Sequence, residues 1–395
     1  MMDRLASHGL AAVVLLLAAG CGDEPSSADP SGAGGEATTG PGSGGAGGSG
    51  GEAPQCAVGS HDEGGVCTAS LGAWQTAPSI TDARDHHVTF TVETAAGHFL
   101  YVAGGAVDMT KAVTSIERAT VAQDGTLAGW QAEAATLSAV GPSVVVAAKT
   151  ALITGGIRSL GSISEKTSLL TIAEDGSVTV AAGPPMLHPR FHHAMVMHDA
   201  WAYAVGGAQT DATSQASVER IRLDDAGPGE WIEDRALPLP RSHHGLAQYE
   251  GALYVVAGLN RFDGDPFPYE DDSFADVLRA PIAEDGSLGE WSTVGQLPDA
   301  LAVHASFAHA GHLYVVGGLE GEGSGGDFVA KIQRAPIAAD GTVGAFETLA
   351  TELPMPRGHS HQVPMIGPYI YSVAGAADHG LEMMSQPEAF YALFE

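Results

Sequence analysis

Short apolar runs that end in glycine recur along the chain: FLYVAGG, ALITGG, AYAVGG, LYVVAG, LYVVGG and IYSVAG. Their last glycines, Gly105, Gly156, Gly207, Gly258, Gly318 and Gly375, are spaced by 51, 51, 51, 60 and 57 residues. Runs this brief, rich in Val, Ile and Tyr and closed by glycine, read as buried strands. A second landmark follows four of the six runs: DGTLAGW at 124–130, DAGPGEW at 225–231, DGSLGEW at 285–291 and DGTVGAF at 340–346. Asp-Gly supplies a tight hairpin turn, and the aromatic six residues after the Asp supplies a large apolar plug between packed sheets. The pieces between the landmarks, such as SIERATVAQ and VERIRLD, are also strand-like, so each unit holds four short strands.

The chain stops at FYALFE, which matches the third strand of a unit, where a turn and an aromatic strand should follow. The missing piece stands at the other end of the repeat region: TASLGAW, residues 68–74, matches DGSLGEW. An N-terminal strand is therefore expected to complete the sixth unit and close a ring. Closure removes the open sheet edges that would recruit other chains.

In order and offset, over roughly residues 70–395, these units resemble the kelch repeat: Arg and His, an apolar strand, a Tyr-containing strand ending in Gly-Gly, and later a Trp. A period of about 50 residues is expected of kelch-type blades. The resemblance implies an all-β fold, a six-bladed kelch-type β-propeller with blade six closed by an N-terminal strand. Departures are visible. Blade two has no His in LSAVGPSVVV and no aromatic after Asp175-Gly176, and blades four and six read Ala-Gly in place of Gly-Gly.

The Arg and His positions raise the main chemical question. RDHH stands at 84–87, RFHH at 190–193, RSHH at 241–244 and RGHSH at 357–361, whereas blade five keeps only His304. Counting back fourteen residues from the terminal glycine reaches His193, His244, His304 and His361, with His87 the counterpart in blade one. These would open the innermost strands, and alternation along a strand would turn one His of each pair to the preceding blade and the other to the following blade. The preferred account makes Arg84, Arg190, Arg241 and Arg357, with the in-register histidines, partners of neighbouring backbone where blades converge. The competing account is a ring of imidazoles from His87, His193, His244, His304 and His361 that binds a divalent metal or an anion at the channel mouth. Metal binding needs several nitrogens about 2 Å from one point, and symmetry-related positions around six blades are expected to stand too far apart, so no metal or cofactor is assigned.

The N-terminus changes the picture further. Leu10 to Ala19 is an apolar run too short to span a bilayer as a helix, and it reads as an export signal over residues 1–20. LAAGC resembles the lipobox of bacterial lipoproteins, which implies acyl chains on Cys21. Residues 22–54 are Gly, Ser and Pro rich, a flexible tether reaching roughly 30 Å. Cys56 and Cys67 flank CAVGSHDEGGVC, and in an exported chain they are expected to pair, stapling a knob over 55–67 ahead of the propeller at 68–395. A metal held by the two thiols with His61, Asp62 and Glu63 is the competing idea.

Charge bounds the partners. With 17 Lys and Arg against 47 Asp and Glu, the net charge is −30, which excludes a phosphate-backbone binder. The insertion at 260–277 in blade four is acidic and aromatic, but lacks the order of a calcium loop. Loops at the blade ends, the longest in blades four and five, are the expected recognition surface.

Fold alone does not select a function. Copper-radical oxidases of the galactose oxidase type resemble this repeat plan but need a Cys beside the metal, and residues 68–395 contain none. Periplasmic sialic-acid mutarotases are also kelch-like; that resemblance would cast Arg190, Arg241 and His193 or His244 as acid, base and carboxylate-binding groups. The preferred expectation is a monomeric lipoprotein of the bacterial cell envelope, held at the outer membrane or cell surface by its lipid anchor alone. Its non-catalytic propeller would bind a protein or glycan, and the mutarotase-type enzyme is the alternative.

Overall fold

The computed structural model describes residues 60–62, 67–107, 111–159, 162–209, 214–260, 273–322, 325–377 and 384–395. The signal segment, Cys21, the tether, Cys56 and the centre of the blade-four insertion lie outside the described residues. Cys67 begins a two-residue strand, Cys67–Thr68, paired antiparallel with His61–Asp62. No helix among the described residues is long and apolar enough to cross a membrane.

The regular structure described is β throughout, and six large antiparallel sheets carry it. In the first, Val88–Thr94, Gly97–Ala103, Ser115–Val121 and Gln131–Thr136 pair in chain order. Burial explains the composition of each strand. Phe99 through Ala103 are buried on both faces because each face meets a neighbouring sheet, so this strand is apolar without alternation. Gln131–Thr136, the outermost strand, is half or fully exposed and correspondingly polar. Side chains of adjacent sheets merge into shared cores: Phe90 and Tyr101 of blade one pack with Val144, Ile153 and Leu170 of blade two.

The sixth sheet runs Gln75–Ala77, Ala389–Leu393, Tyr369–Val373, Met365–Ile366, so its outer strand comes from the N-terminal side of the repeat region. Gln75 faces Tyr391 and Thr76 faces Phe390 in the ladder. Ser70 and Glu395 exchange two backbone hydrogen bonds of 2.9 Å. Leu71 and Trp74 then pack with Phe394 and with Tyr314 of blade five. Matching TASLGAW to the turn-aromatic strands thus located the closing strand.

Two sets of side chains fasten each sheet to its neighbours. The Tyr of the glycine-ended strand donates its hydroxyl to the Asp-Gly turn of the next blade: Tyr101 to the Gly176 carbonyl (2.7 Å), Tyr203 to Gly286 (2.6 Å) and Tyr371 to Gly125 (2.9 Å). The turn-following Trp donates its indole N–H backwards, Trp130 to the Pro78 carbonyl (2.7 Å) and Trp231 to Pro184 (3.1 Å). Where blade five meets blade six, Arg334 Nη1 donates to the Ala69 carbonyl (2.8 Å), tying in the N-terminal segment.

The Gly-Gly departures also have a reason. The second glycine sits at φ between 82° and 111° in all six blades, where a side chain is excluded. A Cβ there would lie 2.5 Å from the Asp85 carbonyl oxygen at Gly105, and 2.7 Å from that of Ser242 at Gly258. The first position needs only the left-handed α region, which Ala257 and Ala374 occupy at φ 52° and 54°. Alanine therefore replaces the first glycine and never the second.

Antiparallel order has one consequence for any site. The linker entering each first strand and the loop between the second and third strands fall at the same end of every sheet. Two-stranded extensions rise there, among them Ala106–Val107 with Lys111–Ala112, and Leu319–Glu322 with Gly325–Phe328.

Candidate functional site at the propeller axis

The linkers converge on the axis at that end. Just before each first strand the backbone passes through the left-handed region: His86 (φ 54°), Gly141 (65°), His192 (50°), His243 (55°), Val303 (53°) and His359 (50°). These six residues bond to one another in a closed circle. The amide of His86 donates to the His359 carbonyl (3.0 Å), Gly141 to His86 (2.8 Å), His192 to Gly141 (3.0 Å), His243 to His192 (3.0 Å), Val303 to His243 (2.9 Å), and His359 to Val303 (3.1 Å). Six donors meet six acceptors. The circle satisfies backbone groups that would otherwise be orphaned at a crowded, buried centre.

This kink corrects the expected roles of the paired histidines. Alternation along an extended strand would send the two rings to opposite faces of the sheet, but the first of each pair is not in an extended conformation. Its ring points to the axis instead. His86 stacks on His359 with ring centroids 3.9 Å apart, His192 stacks on His243 at 3.9 Å, and His86 meets His192 edge-on at 4.8 Å. One ring nitrogen each from His86, His192 and His359 lies within 4.8 Å of the others. The expectation that symmetry keeps ring nitrogens apart concerns His87, His193, His244, His304 and His361, and this set is a different one.

The second histidines take structural positions between blades. His87 Nε2 bonds the Val373 carbonyl of blade six (3.1 Å), and His193 Nε2 bonds Thr154 Oγ1 of blade two (2.8 Å). His244 and His304 sit likewise beneath Gly258 and Gly318 of their own blades. Burial, then the nearby arginine charge, pushes His87, His193 and His244 well below the ordinary imidazole range, and burial takes His304 down to about 4. The contacts described for His87 and His193 are those of blade-interface side chains, the preferred account, and not those of the competing channel-mouth ring.

His361 requires a second correction. The residue beneath Gly375 is Ser360, so His361 lies one place beyond the register reached by counting back. The offset brings it to the hub: its ring centroid is 5.7 Å from that of His192 and 6.1 Å from that of His359. The residue as a whole is half-buried, but its Nε2 is buried. Burial holds it near 3.

The arginines act within their own blades. Arg190, fully buried, donates Nη1 to the Gly206 (2.7 Å) and Ser217 (3.1 Å) carbonyls and pairs through Nη2 with the buried Glu219. Glu219 then accepts from the Leu187 and His188 amides of the incoming linker (2.7 and 3.0 Å). Arg84 repeats this with Glu117, which accepts from the Thr81 amide (2.8 Å). Arg241 substitutes Asp276 (2.8 Å), and Arg357 lies over the Phe390 ring at 5.1 Å. Asp85, which sequence reasoning did not single out, holds His86 Nδ1 at 2.5 Å and accepts from Ser385 Oγ at 2.6 Å. Its adjacency to the first His of a pair was the only available signal.

Radial sheets, cross-blade Tyr and Trp anchors and an axial hub define a β-propeller of the kelch type. No family model matches the chain. It is similar to Kelch-like protein 40a of Danio rerio, 26% identical over 132 residues, which are 33% of this chain and 20% of that protein. It is also similar to beta-scruin of Limulus polyphemus, 22% identical over 203 residues, 51% of this chain and 21% of that protein. These matches span about a fifth of the relatives' own length. Among solved structures, that of YjhT superposes with a TM-score of 0.58 over 78% of this chain and 95% of that one, at 10% identity, a likeness of fold.

Proposed function

We propose that this chain is a surface-tethered lipoprotein of the bacterial envelope, and that its propeller binds a protein partner through the end where linkers and extensions gather. The observation that carries the reading is the placement of exposed apolar groups. Leu187 and Leu239, on linkers into first strands, and Met384, on an extension, are 48%, 51% and 51% exposed, all at that end. Val180 and Ile232, the other exposed large apolar residues among those described, lie on outermost strands, so this end carries the larger share. The repeat's own polar residues serve the fold: Arg190 and Arg241 are buried and paired with carboxylates, which lends no support to casting them as sugar-binding groups.

Capture from the native envelope tests this. The intact chain should retain a partner that the triple variant Leu187→Asp, Leu239→Asp, Met384→Asp loses, with both proteins melting alike. Equal capture by both would move recognition elsewhere. For the anchor, acylation should be detected by mass spectrometry of the N-terminal peptide and should vanish in Cys21→Ser.

A further inference from the structure

We propose that the axial histidines form a binding site for one divalent transition-metal ion of the cobalt, nickel, copper and zinc series, with His86, His192 and His359 as its first ligands. His243 and His361 are the imidazoles next in reach. Three observations converge. The ring nitrogens of the three are already within 4.8 Å of one another. A tetrahedral ion with bonds of about 2.0–2.1 Å needs nitrogens roughly 3.3 Å apart, a closure that small side-chain torsions provide. Asp85 bonds His86 Nδ1, and Ser385 bonds Asp85 in turn. A carboxylate on the far nitrogen is how metal-binding imidazoles are oriented and made more basic, and it leaves Nε2 of His86 as the donor. His192 Nδ1 is buried with no hydrogen-bond partner among the described residues, and its ring lies over Gly141, where a Cβ would meet Cε1 at 3.0 Å. Glycine at that place in the circle gives His192 its room.

The hub around these three is built of further imidazoles, with His243 stacked on His192 and edge-on to His359. An apolar hub would close the axis equally well, whereas stacked imidazoles bring several ring nitrogens to one place. Imidazole-rich sites without thiolate suit this metal series.

The experiment uses the untagged full-length chain, stripped with chelator, loaded with Co2+ alone and desalted. One equivalent should remain, with a d–d spectrum of nitrogen ligation and no sulfur charge-transfer band, and Zn2+ should displace it. His86→Gln and His359→Gln should each lower affinity at least about tenfold, and Asp85→Asn, which keeps every imidazole, about 10–100-fold. His87→Gln should bind as the parent does. Near-ultraviolet circular dichroism checks that each variant is folded, and Asp85→Asn decides the matter should a histidine variant fail to fold. No retained metal in the parent overturns the proposal. So does a thiolate-type spectrum, which would place the ion at Cys56 and Cys67, or retention unchanged in all three hub variants. None of these outcomes bears on partner capture.

Discussion

Two adjacent histidines, one residue apart in the same RxHH string, meet opposite environments. The second enters the strand and turns into a blade interface, and in two of the three strings it is held by a carbonyl or hydroxyl of the preceding blade, His87 by Val373 and His193 by Thr154. The first is caught in a left-handed kink, contributes its backbone to the axial circle and presents its ring to two to four other imidazoles. Residue type and local sequence are the same. A single backbone torsion separates a packing role from a converging one.

The comparison can be broken at several depths. The largest effect is expected from removing residues 60–77, which strips the outer strand from blade six and takes Ala69, Leu71 and Trp74 from its core. The exposed edge of Ala389–Leu393 should leave a protein without a single cooperative melt that aggregates on concentration, measured by calorimetry and light scattering. Next is Arg190→Met, which leaves Glu219 as a buried, uncompensated carboxylate and should cost about 3–5 kcal/mol in denaturant unfolding. Arg241→Met should cost less, because Asp276 is 29% exposed and water can take over part of its solvation.

Acid sharpens the contrast further. His87, His193, His244 and His304 have folded-state values below the unfolded value of about 6.5. Protons therefore bind the unfolded chain first. Stability from their neutral burial is complete above about pH 6.5 and is lost as pH falls toward the folded values, about 4 for His304. The denaturant midpoint should drop between pH 7 and pH 4, and less steeply in His304→Gln. Smallest is Asp285→Ala, which removes the turn bonds to the Ser287 amide (2.9 Å) and hydroxyl (2.6 Å) at the surface and should cost about 1 kcal/mol.

Much of the fold was legible because strand ends and turns are written in glycine and Asp-Gly, residues whose positions are fixed by torsion or turn chemistry. The spacing of Gly105 to Gly375 marked the ends of second strands, and the likeness of TASLGAW to DGSLGEW found the closing strand. The hub was not legible. A positive φ at a histidine or at Val303 has no signature in the chain, so alternation sent the wrong histidine to each face. Counting back from Gly375 missed Ser360 by one place, because a count carries no information about where a kink absorbs a residue. The Arg–carboxylate pairs were hidden for a different reason: Glu117, Glu219 and Asp276 lie on third strands, and only the fold brings them to the linkers.

The most direct test sets His192→Gln beside His193→Gln. Cobalt titration and thermal melting of both should show His192→Gln losing the metal with little change in the metal-free melting temperature. His193→Gln should keep the metal and melt lower by an amount corresponding to about 1–3 kcal/mol for a broken buried hydrogen bond. Matching behaviour of the two variants in both measurements would contradict the division of labour assigned to these neighbours.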